Sequence, residues 1–292
     1  MRTRVFAFSF LLLFVSAAFT QNTDWSAVEK ALGRTGKQLP GGVIKFGMPR
    51  TDLDVRLRGI RLEAPFALGS WVAFMGTPSQ AMLMGDLVLT ESELQPVIAK
   101  LEEGGLQVSA IHNHVVGEVP HVMYTHIGGH GDAAQLAKAL HDALALTKTP
   151  MPSGAPAATP KLAFDRAVIE QALGRTGTLA GDVLQFSIPR PEKIEEGGMQ
   201  LSPAMGTGIA INFEAALNGE VATTGDFVLL GDEVNKVIKA LKSQGIEVTA
   251  LHNHMLDDNP RLFFMHFWGV GEPAKIAAAM KAGVDETAAS KK

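Results

Sequence analysis

The 292-residue chain contains no cysteine. Disulfides, thiolate metal ligands, a cysteine nucleophile and a lipid-modified N-terminal cysteine are all excluded. Any metal must be held by His, Asp, Glu, Met or water. A strong charge of one sign is missing too. The net charge is −4 and the pI is about 6.1. That balance offers no electrostatic footprint for nucleic acid or anionic lipid. Beyond the N-terminus no stretch is apolar enough to span a bilayer, which takes ~20 residues. G-x-S-x-G, a phosphate loop, a dinucleotide-binding glycine fingerprint and H-E-x-x-H are also absent. A hydrophobic content of 46% with 19% charged residues is that of an ordinary globular protein.

What is present at the N-terminus has the order of a secretory signal. Arg2 and Arg4 precede the apolar run Val5 to Val15, and small residues Ser16, Ala17 and Ala18 follow. Residues 1–20 are expected to be a signal peptide, cleaved between Ala17 and Gln21. The mature chain is then periplasmic or secreted, with no stable membrane insertion.

The chain repeats itself. His112-Asn113-His114 returns as His252-Asn253-His254, and His126 returns as His266, each 140 positions later. Ala31 to Gly36 reappears as Ala172 to Gly177, Pro49-Arg50 as Pro189-Arg190, and Gly85-Asp86 as Gly225-Asp226. The first copy covers residues 24–146 and the second 163–287. Each is far longer than a solenoid repeat of ~20–50 residues and has the size of a domain with its own core. Residues 147–160, with Pro150, Pro152, Pro156 and Pro160, read as a semi-rigid linker.

Within one copy, Ser26-x-x-Glu29 resembles a capping box for a short helix ending at Gly33. Alternating runs at Val43–Phe46, Trp71–Met75 and Met82–Leu89 read as strands. Thr90-x-x-Glu93 opens a helix whose Leu94, Val97, Ile98 and Leu101 share one face. Two more strands, Leu106–His114 and about His121–Ile127, are joined by a turn near Gly117-Glu118. A last helix starts at Asp132. The expected fold is α+β: two homologous tandem domains, each a two-layer sandwich of mostly antiparallel sheet with helices on one face.

Eight of the nine histidines fall in 112–130 or 252–266. Alternation along a strand puts His112 and His114 on one face. If either opposes His126 across the hairpin, the index sum is even and all three imidazoles share that face. Three such rings can meet one ion at the ~2.0–2.1 Å Zn–N distance, leaving a position open for water or substrate. The expected metal ligands are therefore His112, His114 and His126 in one repeat and His252, His254 and His266 in the other. Zinc is favoured over copper, because the neighbouring Met123, Met255 and Met265 have odd indices and face away. Asp86 and Asp226 are candidates for a fourth ligand or for an acceptor that fixes a histidine tautomer. Glu118 and Asp258, in the hairpin turn, are expected to be solvated.

The block Gly85-Asp86…Glu93…Val97-Ile98…Leu101…Gly105…His112-Asn113-His114…Pro120…His126…Gly129, recurring in the second half, resembles the LppY/LpqO family. The resemblance implies an exported bacterial protein of unassigned function. Members named as lipoproteins carry an anchoring cysteine. Its absence here implies a freely soluble form. Two classes of function follow. One is a secreted metal-binding protein, extending to a hydrolase that works through a metal-activated water. The other is a non-catalytic module for a small molecule or envelope component, or a structural tandem whose histidines bond each other.

Overall fold

The computed structural model describes residues 23–152 and 160–291. The expected signal peptide lies outside the described residues, as does 153–159 of the linker. In chain order the first unit comprises α1 (Ser26–Leu32), β1 (Lys37–Leu39), β2 (Val43–Pro49), β3 (Arg56–Leu57), β4 (Ile60–Arg61), β5 (Gly69–Thr77) and β6 (Gln80–Thr90). It continues through α2 (Glu91–Glu103), β7 (Gln107–His112), β8 (Val122–Gly131) and α3 (Ala133–Leu144). The second unit repeats this order: α4 (Arg166–Leu173), β9 (Thr178–Ala180), β10 (Val183–Ile188), β11 (Glu195–Glu196), β12 (Met199–Gln200), β13 (Ile209–Ala215) and β14 (Val221–Leu230), then α5 (Val234–Ser243), β15 (Glu247–His252), β16 (Leu262–Gly271) and α6 (Pro273–Asp285). Among the described residues no helix is long and apolar enough to cross a membrane.

Each unit is built on a six-stranded antiparallel sheet. The orders are β1-β2-β5-β6-β8-β7 and, in mirror listing, β15-β16-β14-β13-β10-β9. The histidine-bearing strands β7 and β15 are therefore edge strands. Alternation along β6 sets the layers. Ala81, Leu83, Leu87 and Leu89 pack beneath the helices with Val97, Leu101 and Leu140. Met82, Met84 and Val88 point the other way, where no helix covers them. Met82 and Met84 join a cluster containing Leu201 and Met205 of the second unit. The connection Val55–Leu68 packs against Val183, Ala222 and Trp268 of the second unit, with Phe66 and Trp268 edge to face at 6.1 Å. The two units thus bury their helix-free sides against each other, and the even-numbered β6 residues, Asp86 among them, look into that junction.

The helix ends differ from expectation in one respect. Trp25 occupies the N-cap of α1 and Ser26 is already helical. The Glu29 carboxylate reaches past the helix and accepts from Gly36 N at 2.8 Å, as Glu170 does from Gly177 N at 2.9 Å. The Thr90-x-x-Glu93 expectation holds. Glu93 Oε2 accepts from Thr90 N at 2.9 Å.

Glu93 also takes part in the largest buried ionic network of its unit. The Arg50 side chain is fully enclosed. It donates to Glu93 at 2.8 and 3.1 Å, to Asp52 at 2.9 and 2.8 Å, and to the Val88 carbonyl at 2.7 Å. Arg190 repeats the arrangement with Glu233, Glu192 and the Val228 carbonyl. The acids hold the guanidinium in its charged form despite burial. Removing one partner of a buried, hydrogen-bonded ion pair strands the other. Arg50→Ala and Arg190→Ala are each expected to lower unfolding stability by about 3–5 kcal/mol. The check is urea denaturation followed by circular dichroism. A loss under about 1 kcal/mol, the worth of an exposed pair, contradicts this reading.

Candidate metal centre

The histidines are placed by a β-bulge. At the start of β7, Val108 opposes Ile127 of β8. Continued without interruption, that register would set residue 109 against His126 and turn His112 to the opposite face. Instead Ser109 is an extra residue, and beyond it Ala110 opposes His126 and His112 opposes Tyr124. The inserted residue flips the rest of the strand, and His112 joins the face of His126. Thr249 does the same in β15, where Ala250 opposes His266 and His252 opposes Phe264. The even index sum expected for this hairpin is met, with Ala110 rather than a histidine opposite His126. His114 lies beyond the strand end and stacks on Tyr124 at 3.3 Å between ring centroids. His254 stacks on Phe264 at 3.4 Å.

Asp86 opposes His126 directly across β6 and β8, and Asp226 opposes His266 across β14 and β16. The glycine before each aspartate permits a close strand approach. A Cβ on Gly85 would stand 2.6 Å from the Trp71 carbonyl oxygen, and one on Gly225 would run into the Ala210 carbonyl.

The two triplets do not form separate sites in separate repeats. They interleave at the junction, because the histidine faces are the helix-free faces. His112 stacks on His252 with ring centroids 3.6 Å apart. On either side of that pair His114 lies 3.8 Å from His266, and His126 lies 3.6 Å from His254. The near-equality of these separations reflects a pseudo-two-fold axis through the His112–His252 stack. The bulges close the junction. Ser109 Oγ donates to the His254 carbonyl, Thr249 Oγ1 donates to the His114 carbonyl, and Asn113 Nδ2 donates to the Thr249 carbonyl.

Ligand atoms of His112, His126 and His252 lie within 4.8 Å of one another. The same holds for His112, His114 and His266, and for Asp226, His252 and His254. The last two groups share no residue, so the cluster has the donors for two ions. The Nε2 atom of all six histidines is buried without a hydrogen-bond partner, as is one carboxylate oxygen each of Asp86 and Asp226. His114 Nε2 stands 3.4 Å from Asp86 Oδ2, and His254 Nε2 stands 3.1 Å from Asp226 Oδ2, neither aligned for a hydrogen bond. The opposite ring edges are engaged. His266 Nδ1 donates to the Gly225 carbonyl at 2.7 Å, His112 Nδ1 to the Asn113 carbonyl at 3.1 Å, and His252 Nδ1 to the Asn253 carbonyl at 3.3 Å. A carbonyl accepts only, so each Nδ1 carries the proton and each Nε2 presents a lone pair. That is the tautomer a metal requires.

Electrostatics favour the same state. Burial, reinforced by neighbouring imidazoles, holds His114, His126, His254 and His266 well below the usual imidazole range. Burial lowers His112 to about 4, against the opposing pull of Asp86. Burial raises Asp226, opposed by the surrounding histidines. A cavity of about 700 Å³ opens onto the cluster and is faced by Asp86, His114, His126, Asp226, His254 and His266.

Glu118 and Asp258 are not solvated. Both are buried and serve the hairpin connection. Glu118 Oε1 lies 2.7 Å from His121 Nδ1, and Asp258 lies 2.8 Å from Arg261 Nη1 and accepts from Leu262 N. His121 and Arg261 occupy equivalent positions, so the repeats exchange one cation for another against a buried acid. His141 sits on α3 with Nδ1 at 3.2 Å from the Leu32 carbonyl, away from the cluster. Sequence reasoning missed the bulge residues Ser109 and Thr249, and the aromatic platforms Tyr124 and Phe264. The platforms left a signal: each lies two residues before the histidine of its strand.

The chain belongs to the family described as Domain of Unknown Function (DUF1259), whose model matches residues 26–146 and 167–286. No curated protein matches the chain. Two solved structures show a distant likeness. One is a trimeric bacterial microcompartment shell protein PduB, at 13% identity over 86% of this chain and 89% of that chain, with a TM-score of 0.22. The other is EtuB from Clostridium kluyveri, at 9% identity over 85% and 90%, with a TM-score of 0.19. Scores this low do not indicate a common fold.

Deleting Ile111 tests the strand parity. The deletion sets His112 opposite Thr125 instead of Tyr124 and turns His112 and His114 out of the cluster. It is expected to abolish uptake of metal at the His112, His114 and His266 group, measured by elemental analysis, whereas Ser109→Ala leaves every pairing in place and keeps the uptake. Equal uptake by the two variants contradicts the role of this pairing.

Proposed function

We propose that this protein binds divalent metal in a single centre shared by its two units, with zinc favoured over copper. The ligands are His112, His114, His126, His252, His254 and His266, with Asp86 and Asp226 as additional ligands or as acceptors that orient the imidazoles. The observation that carries this reading is the set of six buried Nε2 atoms without hydrogen-bond partners, gathered around one axis. Leaving a buried polar atom unsatisfied costs about 1–3 kcal/mol. Six together are a large penalty, which a cation accepting their lone pairs removes. An all-nitrogen and carboxylate donor set suits zinc. A purely structural tandem with histidines bonded to each other is disfavoured, because no hydrogen bond joins any two of the six imidazoles among the described residues.

One observation favours a further reading, metal-dependent hydrolysis. The cavity reaches both carboxylates and four of the histidines, so a substrate has access to the centre. A metal-bound water there would be acidified towards ~7, and Asp86 or Asp226 would take its proton. The resemblance to the LppY/LpqO family and the N-terminal signal pattern add that the protein works in the periplasm or outside the cell.

Elemental analysis of purified protein is the test, against a variant with His112, His114 and His126 all changed to alanine. The expected result is up to two ions per chain in the parent and at most one in the variant, which keeps Asp226, His252 and His254, with added zinc raising the melting temperature of the parent more than that of the variant. A parent that takes up no metal and shows no thermal shift overturns the reading.

A further inference from the structure

The cavity that opens onto the histidines is not symmetric, and the asymmetry indicates what enters it. Its lining includes the histidine and aspartate cluster at one end. Elsewhere the lining contains a single Lys or Arg, Lys45 on β2. Lys45 has no carboxylate partner among the described residues. Its ammonium stands over the Trp71 ring, 3.8 Å from the centroid. Burial lowers it to about 8, and no acid counters that effect. The indole is itself held in place. A Cβ on Gly206, which already has φ +89°, would fall 2.8 Å from Trp71 Cη2.

Trp71 opposes Asp86 across β5 and β6, so the Lys45–Trp71 pair lies one to two strands from the centre. At ~4.8 Å per strand that is about 5–10 Å. The equivalent of Lys45 in the second unit is Gln185, 140 positions later. Gln185 Nε2 is spent on the Pro65 carbonyl at 2.8 Å, and Asn212 Nδ2 on the Phe66 carbonyl at 3.0 Å. The second unit's amides therefore fasten the connection between β4 and β5 over the cavity, and the first unit's ammonium is left free to meet a ligand. A volume of about 700 Å³ lies within the ~300–1,000 Å³ typical of small-molecule sites.

We propose that this cavity binds a small acidic molecule carrying two anionic groups. One carboxylate oxygen reaches the histidine-held cation and the other group is neutralised by Lys45, with the apolar chain of the ligand against Trp71. The proposal deepens the metal-binding reading and rests on it. Lys45 supplies a charge-assisted hydrogen bond to the distal anion, and the pseudo-two-fold axis is broken here so that the ligand enters in one orientation.

The test uses the full chain loaded with zinc, succinate as probe and its neutral analogue succinamide as control. Binding is followed by tryptophan fluorescence. Trp25 and Trp268 are buried in the cores, so the signal reports Trp71. Lys45→Gln is the decisive variant, since the second unit already carries glutamine at this position in the same strand. The expected result is saturable binding of succinate and none of succinamide. Lys45→Gln is expected to weaken succinate by roughly tenfold, the loss of one charge-assisted hydrogen bond, with zinc content unchanged. Removing zinc should weaken it further. A zinc-loaded protein that does not bind succinate overturns the proposal and leaves the metal reading intact. So does binding that is the same in Lys45→Gln or after zinc removal. A protein that takes up no zinc overturns both.

Discussion

Six imidazoles meet where two sheets present their helix-free faces, and each arrives with its outward nitrogen unpaired. Burial would ordinarily be tolerated only if those nitrogens found hydrogen-bond partners. Here the opposite ring edges are tied to backbone carbonyls at His112, His252 and His266, which fixes the tautomer and leaves each Nε2 lone pair free. Low basicity, a consequence of burial, keeps the His112, His126 and His266 rings free of a second proton. The rest of the structure follows from the need to hold these rings. The bulges turn the strand ends inward, Tyr124 and Phe264 support the two histidines beyond the strands, and Asp86 and Asp226 stand opposite the strand histidines.

The duplication explains how such a centre arises from short-range parts. One unit alone contributes three histidines and an aspartate on a sheet face that no helix covers. Apposing two copies about a pseudo-two-fold axis doubles the donors and encloses them. Each copy keeps its own helix-side core and its own buried arginine network around Arg50 or Arg190, so the centre adds to two frameworks already stabilised elsewhere. The cross-unit hydrogen bonds from Ser109 and Thr249 join the backbones that carry His254 and His114. Cation binding at the centre would therefore be coupled to docking of the units. The copies diverge where symmetry is not needed, at Lys45 and Gln185 on the cavity wall and at His121 and Arg261 in the hairpin connection.

The sheet-and-helix plan of each unit was legible because its signals are local. Alternation marks the strands, and the stripe of Leu94, Val97, Ile98 and Leu101 marks α2. The shared face of the histidines followed from strand parity, although the parity is met through an extra residue at Ser109 that has no sequence signature of its own. The merging of two triplets into one centre was not legible. It depends on which sheet faces the helices leave bare and on how the units dock, and that is decided by long-range packing such as Phe66 on Trp268. Glu118 and Asp258 misled for a similar reason. They sit in a connection, yet the chain folds over them and buries them against His121 and Arg261.

X-ray absorption at the zinc edge of the zinc-loaded chain probes the centre most directly. The account predicts a first shell of nitrogen and oxygen at ~2.0–2.1 Å with the outer-shell scattering of several imidazoles, weakened, with less zinc bound, when His112, His114 and His126 are replaced by alanine. A shell of oxygen alone, without imidazole scattering, would contradict it.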